Sequence, residues 1–224
     1  MTFDATLFPE RLTKIDELTR GDHTYLTEHD ECYFFGDYSA RKGFAHSATN
    51  SLVLNFKKPI KYRGTASWQY KTKAIGQVAY AFSRNLGNAI GKITLVPVPP
   101  SKVKTDDEYD DRLSRMLAML TPPPGVNPDV RELVIQNQTM PAAHDSSTRL
   151  PPADWQNVYV VDESLAEPNP KWIGIVDDLL VTGSRFRAMS GVLKARFPEA
   201  RITGLFVARR VPEAIDWSEL LDDN

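Results

Sequence analysis

Cysteine is nearly absent from this sequence, which has one, Cys32, among its 224 residues. A single cysteine excludes an internal disulfide and a cysteine-rich zinc site, and its apolar neighbours predict a place in the core. Long apolar runs are also lacking, since none approaches the ~18 residues of a membrane span. The amino-terminal residues show neither a basic leader nor an apolar stretch, so no secretory signal is expected. These absences predict a soluble cytoplasmic protein with no membrane partner.

Neither sign of charge dominates, because 27 lysines and arginines face 29 aspartates and glutamates, for a net charge of −2. This balance excludes a strongly basic, histone-like protein that coats nucleic acid, but it allows a local basic patch. Residues 51–77 carry six cations and three interleaved aromatic residues with no acidic residue. Such interleaving suits single-stranded nucleic acid, with Lys57, Lys58 and Lys61 as candidate contacts. A solvated surface covered by lysine stems is the alternative that the pattern leaves open.

Hydrophobic periodicity divides the chain into alternating helices and strands. Helices are predicted over Pro9–Arg20, Ser67–Leu86, Asp107–Leu120 and Ser184–Phe197. Strands are predicted over Cys32–Tyr38, Ser51–Phe56, Lys92–Val96, Glu132–Ile135, Asn157–Val161, Trp172–Val176 and Arg201–Val207. Alternation in the second half predicts an α/β fold, with a parallel sheet and flanking helices over residues 91–224 and an α+β hood over residues 1–90. In such sheets, ligands bind beyond the carboxyl ends of the strands.

Chemistry is concentrated in residues 172–186, where a buried strand ends in two acids and a polar turn opens onto a helix. The acids are Asp177 and Asp178, and the turn contains Thr182, Gly183 and Ser184. Free amides at a helix start, joined by two hydroxyls, form an anion cradle. Two carboxylates suit a vicinal diol, so the pattern favours a phosphorylated sugar, most simply ribose 5-phosphate. An acid pair at this place is also typical of helix-start charges or of metal ligands.

The run from Val176 to Ser184 resembles the phosphoribosyl pyrophosphate (PRPP) motif of the type I phosphoribosyltransferases. The resemblance implies that Asp177 and Asp178 hold the ribose hydroxyls and that the turn holds the 5-phosphate. The order of the upstream segments is similar to the ComF-like branch, whose proteins are linked to DNA uptake. Those segments are Val96–Lys102, Asp110–Arg112, Gln138–Thr139, Arg149 and Asn157–Val158. The resemblance covers roughly Ile93 to Arg209, and the zinc element often preceding ComF-like domains is absent.

The resemblance implies a phosphoribosyltransferase-like fold and a Mg²⁺-dependent reaction of PRPP at C1′, with pyrophosphate leaving. It assigns pyrophosphate contacts to Pro100, Ser101 and Lys102, and leaves the acceptor open and the Mg²⁺ without a side-chain ligand. The loop Thr139–Pro152 is expected to be a lid, with Arg149 as a further pyrophosphate contact.

Two positions depart from the family pattern. Val181 replaces the first hydroxyl of the usual threonine pair, and Arg185 stands where a second hydroxyl commonly closes the phosphate loop. Losing hydroxyls weakens the cradle, while Arg185 could add a charged contact to the 5-phosphate or point outward. The site is therefore expected to be either a retuned transferase or a non-enzymatic sensor of PRPP or nucleotide, linked to DNA uptake or to defence against foreign DNA.

Overall fold

A mixed six-stranded sheet forms the centre of the fold in the computed structural model, which describes residue 9 and residues 11–140 and 150–213. In spatial order its strands are β1 (Thr13–Lys14), β2 (Cys32–Ser39), β8 (Arg201–Val211), β7 (Trp172–Leu180), β3 (Thr94–Pro97) and β4 (Asp129–Val130). All neighbouring strands run parallel except β1, which is antiparallel to β2. A separate antiparallel pair joins β5 (Val134–Gln136) to β6 (Tyr159–Val161). The α/β class is therefore confirmed, but the sheet predicted to be parallel is mixed.

Helices flank the sheet in two packed groups. The helices are α1 (Glu17–Arg20), α2 (Ala48–Phe56), α3 (Trp68–Leu86), α4 (Arg112–Ala118), α5 (Pro152–Gln156) and α6 (Ser184–Arg196). Helix α3 packs on α2 and α4, whereas α6 packs on α5 and β6. None of the helices in the described ranges has the length and apolarity needed to cross a membrane.

Strand β7 is central and buried, since it lies between β3 and β8. Ile173, Ile175 and Val176 are all fully buried, as a strand covered on both faces requires. The strand was predicted to end at Val176 but continues to Leu180, so the two acids lie within it and Asp177 pairs with Phe206 of β8. Consecutive strand residues face opposite sides, so the two acids are directed to different helix groups.

The amino-terminal segment differs from its prediction. Instead of one helix over Pro9–Arg20, the chain forms β1 along β2 and then the short α1. Asp16 ends the strand, because its side chain accepts from the Thr19 amide in a capping box. Leu18, which would share one apolar stripe with Leu12 and Ile15 in the predicted helix, is 91% exposed. Pairing with β2 therefore outweighs the apparent helical spacing.

The segment Ser51–Phe56, predicted as a strand, lies in α2. Ser47 caps this helix by accepting from the Asn50 amide at 3.0 Å. Leu52, Val53 and Phe56 are buried, which is the spacing of a helix face. Strand β2, also from the first 90 residues, pairs in parallel with β8, so the central sheet takes strands from both predicted segments.

The predicted helix over Asp107–Leu120 is shorter, because α4 begins at Arg112. The acidic run before it forms a loop, in which Asp110 accepts from Lys71 at 2.7 Å and from the Arg112 guanidinium at 3.0 Å. These ion pairs hold the acids outside the helix. Cys32 is fully buried at the start of β2, as predicted.

Candidate functional site

A cavity of about 320 Å³ opens at the carboxyl ends of β3 and β7. Its walls come from the loop after β3, the start of α4, strand β5, Asp177 and Arg185. Its volume lies at the lower end of the range for small-molecule sites. The cavity is therefore where the position rule for α/β sheets places a ligand.

Of the two adjacent acids in β7, Asp177 is the one that lines this cavity, and it is buried. Its Oδ1 accepts from the Asp178 amide at 2.8 Å, and Arg185 Nη1 lies 4.0 Å from Oδ2. Burial raises the pKa of Asp177, and the charge of Arg185 opposes that rise only in part. Asp177 is thus a buried carboxyl group that can accept a hydrogen bond or hold a proton beside a ligand.

Asp178 faces the other helix group and is enclosed by cations. Its Oδ1 accepts from Lys57 Nζ at 3.0 Å, and its Oδ2 accepts from Arg112 Nε at 2.7 Å and also from Arg112 Nη2. Burial alone would raise the pKa of Asp178, but Arg112 and Lys57 hold it far below its usual value. Asp178 is therefore an ionised partner in an internal ion network.

The network extends to Lys71, which is fully buried. Its Nζ donates to Asp110 at 2.7 Å and to the carbonyls of Phe56 and Lys58 at 2.9 Å each. Burial lowers the pKa of Lys71 to about 8, against the opposing effect of Asp110. Since Arg112 also contacts Asp110, the end of α2 is connected to α4 and to β7.

Arg185 points inward and fastens the loop after β3 to α6. Its Nε donates to the Tyr159 hydroxyl at 3.1 Å, and its Nη2 donates to the Pro99 carbonyl. The guanidinium also lies 5.0 Å from the centroid of the Trp155 ring. Of the two orientations that the sequence left open for Arg185, the outward one is not the one the structure shows.

The polar turn before α6 packs against the segment His23–Leu26. His23 Nδ1 lies 2.6 Å from the Val181 carbonyl oxygen, and the Tyr25 amide donates to the Thr182 carbonyl at 2.8 Å. Gly183 has φ +80°, and a Cβ there would lie 2.8 Å from Leu26 Cδ2. Packing and backbone geometry therefore both require this glycine, apart from any phosphate.

The cavity brings together four of the residues singled out from the sequence: Pro100, Lys102, Asp177 and Arg185. Five others lie outside its lining: Ser101, Asp178, Thr182, Gly183 and Ser184, the last of which is buried at the start of α6. Lys102 Nζ lies 3.4 Å from Glu108 Oε2 and 3.6 Å from Asp106 Oδ2. Arg149 and most of the predicted lid lie outside the described residues.

Gln136 is a cavity residue that sequence reasoning missed. Its Nε2 donates to the carbonyls of Ser101 at 2.8 Å and Gln138 at 2.6 Å, which fixes the amide orientation because a flip would oppose two oxygens. Its buried Oε1 accepts from no donor within the described ranges. A glutamine directly after the apolar run Leu133–Ile135 was the available signal.

Arg112 was quoted in the resemblance without a role, although it proves to be the main partner of Asp178. The available signal was the position of Arg112 at the start of a predicted helix, directly after an acidic run. A cation in such a place needs carboxylates to balance its charge. Lys57 was assigned to the basic patch and contacts Asp178 instead.

Mg²⁺ was expected to arrive with PRPP. Within the described ranges, no three acidic, histidine or cysteine side chains gather as a metal-binding group. Mg²⁺ at phosphate sites is commonly held by one or two carboxylates together with substrate phosphates. Asp177 is a cavity carboxylate of that kind, so the residues fit a metal that phosphates help to hold.

Comparison with protein families finds no family model that matches this chain, and comparison with curated proteins finds no significant match. Function is therefore inferred from the geometry and chemistry of the cavity.

Proposed function

We propose that the cavity at the carboxyl ends of β3 and β7 binds PRPP with Mg²⁺, in a fold of the phosphoribosyltransferase type. The observation that carries the proposal is the position of Asp177. Its buried carboxyl group lines a cavity shared with the loop after β3, which the resemblance assigns to pyrophosphate. A diol-binding acid and a pyrophosphate-binding loop thus share one space.

The cavity supplies hydrogen-bond acceptors for a sugar. Asp177 accepts from a ribose hydroxyl, and Gln136, whose buried amide oxygen has no donor within the described ranges, belongs to the same lining. Arg185 positions the loop through the Pro99 carbonyl. The Lys102 ammonium group lies beside Asp106 and Glu108, and the phosphates bind it by competing with these two carboxylates.

Charge balance explains why the ligand binds with a metal ion. Lysines and arginines contribute four cationic side chains to the lining, and aspartates and glutamates contribute five acidic ones. A polyphosphate alone would add several negative charges to this surface. Mg²⁺ held by the phosphates and by Asp177 would offset that charge and would supply Lewis-acid stabilisation for the leaving pyrophosphate.

The proposed reaction is phosphoribosyl transfer. The bond between C1′ and the pyrophosphate oxygen breaks, and pyrophosphate leaves with the electron pair. The acceptor forms a bond to C1′ and loses its proton. The cationic character that develops at C1′ is stabilised by the negative charge of Asp177 when that carboxyl is ionised.

Binding without turnover is the second candidate, and the Asp178 network favours it. The resemblance requires both acids at the ribose, but Asp178 lies outside the cavity lining and is neutralised by Lys57 and Arg112. A site with one available acid can hold the ligand and still lack part of the transition-state stabilisation. Such a protein would act as a sensor of PRPP or of a related nucleotide.

Calorimetric titration with PRPP, ribose 5-phosphate and pyrophosphate, each with Mg²⁺, tests binding. A pyrophosphate-release assay with a panel of bases and amines then separates the two candidates. We expect PRPP to bind more tightly than either fragment, because it occupies both parts of the cavity. Release identifies a transferase, tight binding without release identifies a sensor, and no binding of PRPP rejects both.

A further inference from the structure

Positive charge is segregated in one part of this chain. Residues 38–105 contain twelve lysines and arginines and no aspartate or glutamate, although the whole chain has a slight excess of acids. Random mixing would place acids throughout such a segment. The segregation concentrates positive potential on the elements that this segment forms, which include α2 and α3.

The structure divides the six cations of residues 51–77, the densest part of this segment, into two sets. Lys57 and Lys71 point inward to Asp178 and Asp110. By contrast, Lys58, Lys61, Arg63 and Lys73 form no ion pair with any acidic group in the described part of the chain (ranges 11–140 and 150–213). This second set is the one available to an outside anion.

Aromatic rings stand beside the available cations. Phe44, Tyr62 and Tyr70 are 51%, 41% and 50% exposed. Lys58 Nζ lies 5.8 Å from the Phe44 ring centroid and 5.6 Å from that of Tyr62. We call this surface the aromatic–cationic face, and it comprises Phe44, Lys58, Lys61, Tyr62, Arg63, Tyr70 and Lys73, with Lys61 beside Tyr62 and Lys73 beside Tyr70.

The face is continuous along the backbone. Thr65 bridges its two parts, because its hydroxyl donates to the Tyr62 carbonyl at 2.7 Å and its carbonyl accepts from the Trp68 amide at 3.0 Å. Helix α3 starts at Trp68, so its first turns present Tyr70 and Lys73 directly after this bridge. Rings and cations therefore alternate from α2 to the start of α3.

We propose that the aromatic–cationic face binds single-stranded nucleic acid. This ligand has both groups that the face can engage, since bases stack on aromatic rings and phosphates contact cations. A base stacked on a ring changes affinity by about five- to 150-fold, whereas an exposed cation–π contact is equivalent to about two- to fivefold. Stacking therefore displaces the lysines from the rings and releases them for phosphates.

Other polyanions use less of this surface. Duplex DNA keeps its base faces stacked inside the helix, so the exposed rings would have no partner. A membrane-binding helix needs an unburied apolar face, but the apolar face of α3, with Ile75, Val78 and Phe82, is fully buried in the core. Single strands match both the rings and the charges.

Fluorescence anisotropy of a labelled oligothymidylate, titrated with the full chain at several salt concentrations, tests the proposal. We expect Tyr62→Leu and Tyr70→Leu each to weaken binding about five- to tenfold with an unchanged salt dependence, because stacking is lost and charge is retained. The combined variant Lys58→Gln, Lys61→Gln, Lys73→Gln should lower the logarithmic salt slope by about 2, since each phosphate contact contributes about 0.7.

A charge-matched control separates this face from net charge. Lys14→Gln, Lys171→Gln and Lys194→Gln remove three exposed lysines from other parts of the chain and should leave affinity and slope nearly unchanged. The proposal is overturned if both triple variants weaken binding equally, if the tyrosine variants bind as the wild type does, or if a duplex or anionic vesicles bind as tightly as the oligothymidylate. Failure to bind PRPP leaves this test unaffected, because the face excludes the cavity residues.

Discussion

Asp177 and Asp178 are neighbours in β7, yet the two sides of the strand give them opposite surroundings. Asp177 lines a cavity, and its nearest cation, Arg185 of α6, lies 4.0 Å away. Asp178 accepts hydrogen bonds from Lys57 and Arg112 and is not part of the cavity lining, although Arg112 itself is. Burial is similar on the two sides, but the balance of charge is not.

The difference shows how a motif can carry two roles in adjacent residues. Because side chains alternate along a strand, the two carboxylates lie on opposite faces of the sheet. Lys57 and Arg112 keep Asp178 ionised, and this ion network stabilises the junction of α2, α4 and β7. The charge of Asp177 is only partly compensated, so its pKa is raised and its carboxyl group can respond to a ligand.

Removal of the carboxylate charge at each site gives the largest expected difference. Asp178→Asn should lower the free energy of unfolding by about 3–5 kcal/mol, because Arg112 and Lys57 lose their buried partner. Asp177→Asn, the matched control, should cost less than about 0.5 kcal/mol at pH 7 or stabilise the fold. Urea unfolding measures both, and equal losses would show that the two sides do not differ.

The pH dependence of that control sharpens the comparison. Because the folded state raises the pKa of Asp177, its charged form is disfavoured by folding, and wild-type stability declines as pH rises through the folded pKa. The stability of Asp177→Asn relative to wild type should therefore shrink as pH falls toward about 4. If the stability of Asp177→Asn relative to wild type instead grew as the pH fell, the assignment of a raised pKa to Asp177 would be wrong.

Arg185 tests how far the cavity side depends on one cation. Arg185→Met should lower stability by about 1–3 kcal/mol, because it removes the hydrogen bonds to Tyr159 and the Pro99 carbonyl. Arg196→Met, at the other end of α6, removes a partly exposed pair with Glu163 and should cost less than about 1 kcal/mol. Thermal unfolding showing no larger loss for Arg185→Met would mean that the loop after β3 is held by other contacts.

His23 extends the comparison to the turn that follows the two acids. Burial lowers the pKa of His23, so folding favours its neutral form, and stability is lost as pH falls below about 6.5, by up to about 1.4 kcal/mol per pH unit. His23→Gln should flatten this part of the stability curve, measured by urea unfolding between pH 7 and 5. His46→Gln, at an exposed site, should retain the slope, and a curve that His23→Gln leaves unaltered would contradict the role of His23.

Strong local patterns made part of this fold predictable. Helix α3 follows its amphipathic spacing within one residue of each predicted end, and β7 and β8 start where their apolar runs start. The prediction of a strand over Ser51–Phe56 was wrong, because a short apolar run is compatible with either a strand or a helix. The contact that decides for a helix is the cap from Ser47. At the start of the chain, pairing of β1 with β2 outweighed local spacing.

The site was predictable in position but not in its partners. The acids that follow the apolar run Trp172–Val176 were expected at a strand end and lie in the last part of β7, yet no spacing shows that Lys57, 121 positions before Asp178, would neutralise Asp178. The same holds for Gln136, which reaches the cavity through the separate β5–β6 pair. Which cations compensate a buried acid depends on contacts between distant parts of the chain. No local pattern in a single sequence indicates those contacts.

Titration of PRPP and Mg²⁺ into the wild type, Asp177→Asn and Asp107→Asn tests the central claim most directly. Asp107 is an exposed acid outside the cavity lining, so its variant controls for net charge. We predict that the wild type and Asp107→Asn bind alike, and that Asp177→Asn binds at least about tenfold more weakly, since about 1.4 kcal/mol of hydrogen bonding to the ribose is lost. Equal PRPP affinity of Asp177→Asn and the wild type, with both proteins folded, would contradict the assignment of Asp177 to the ribose.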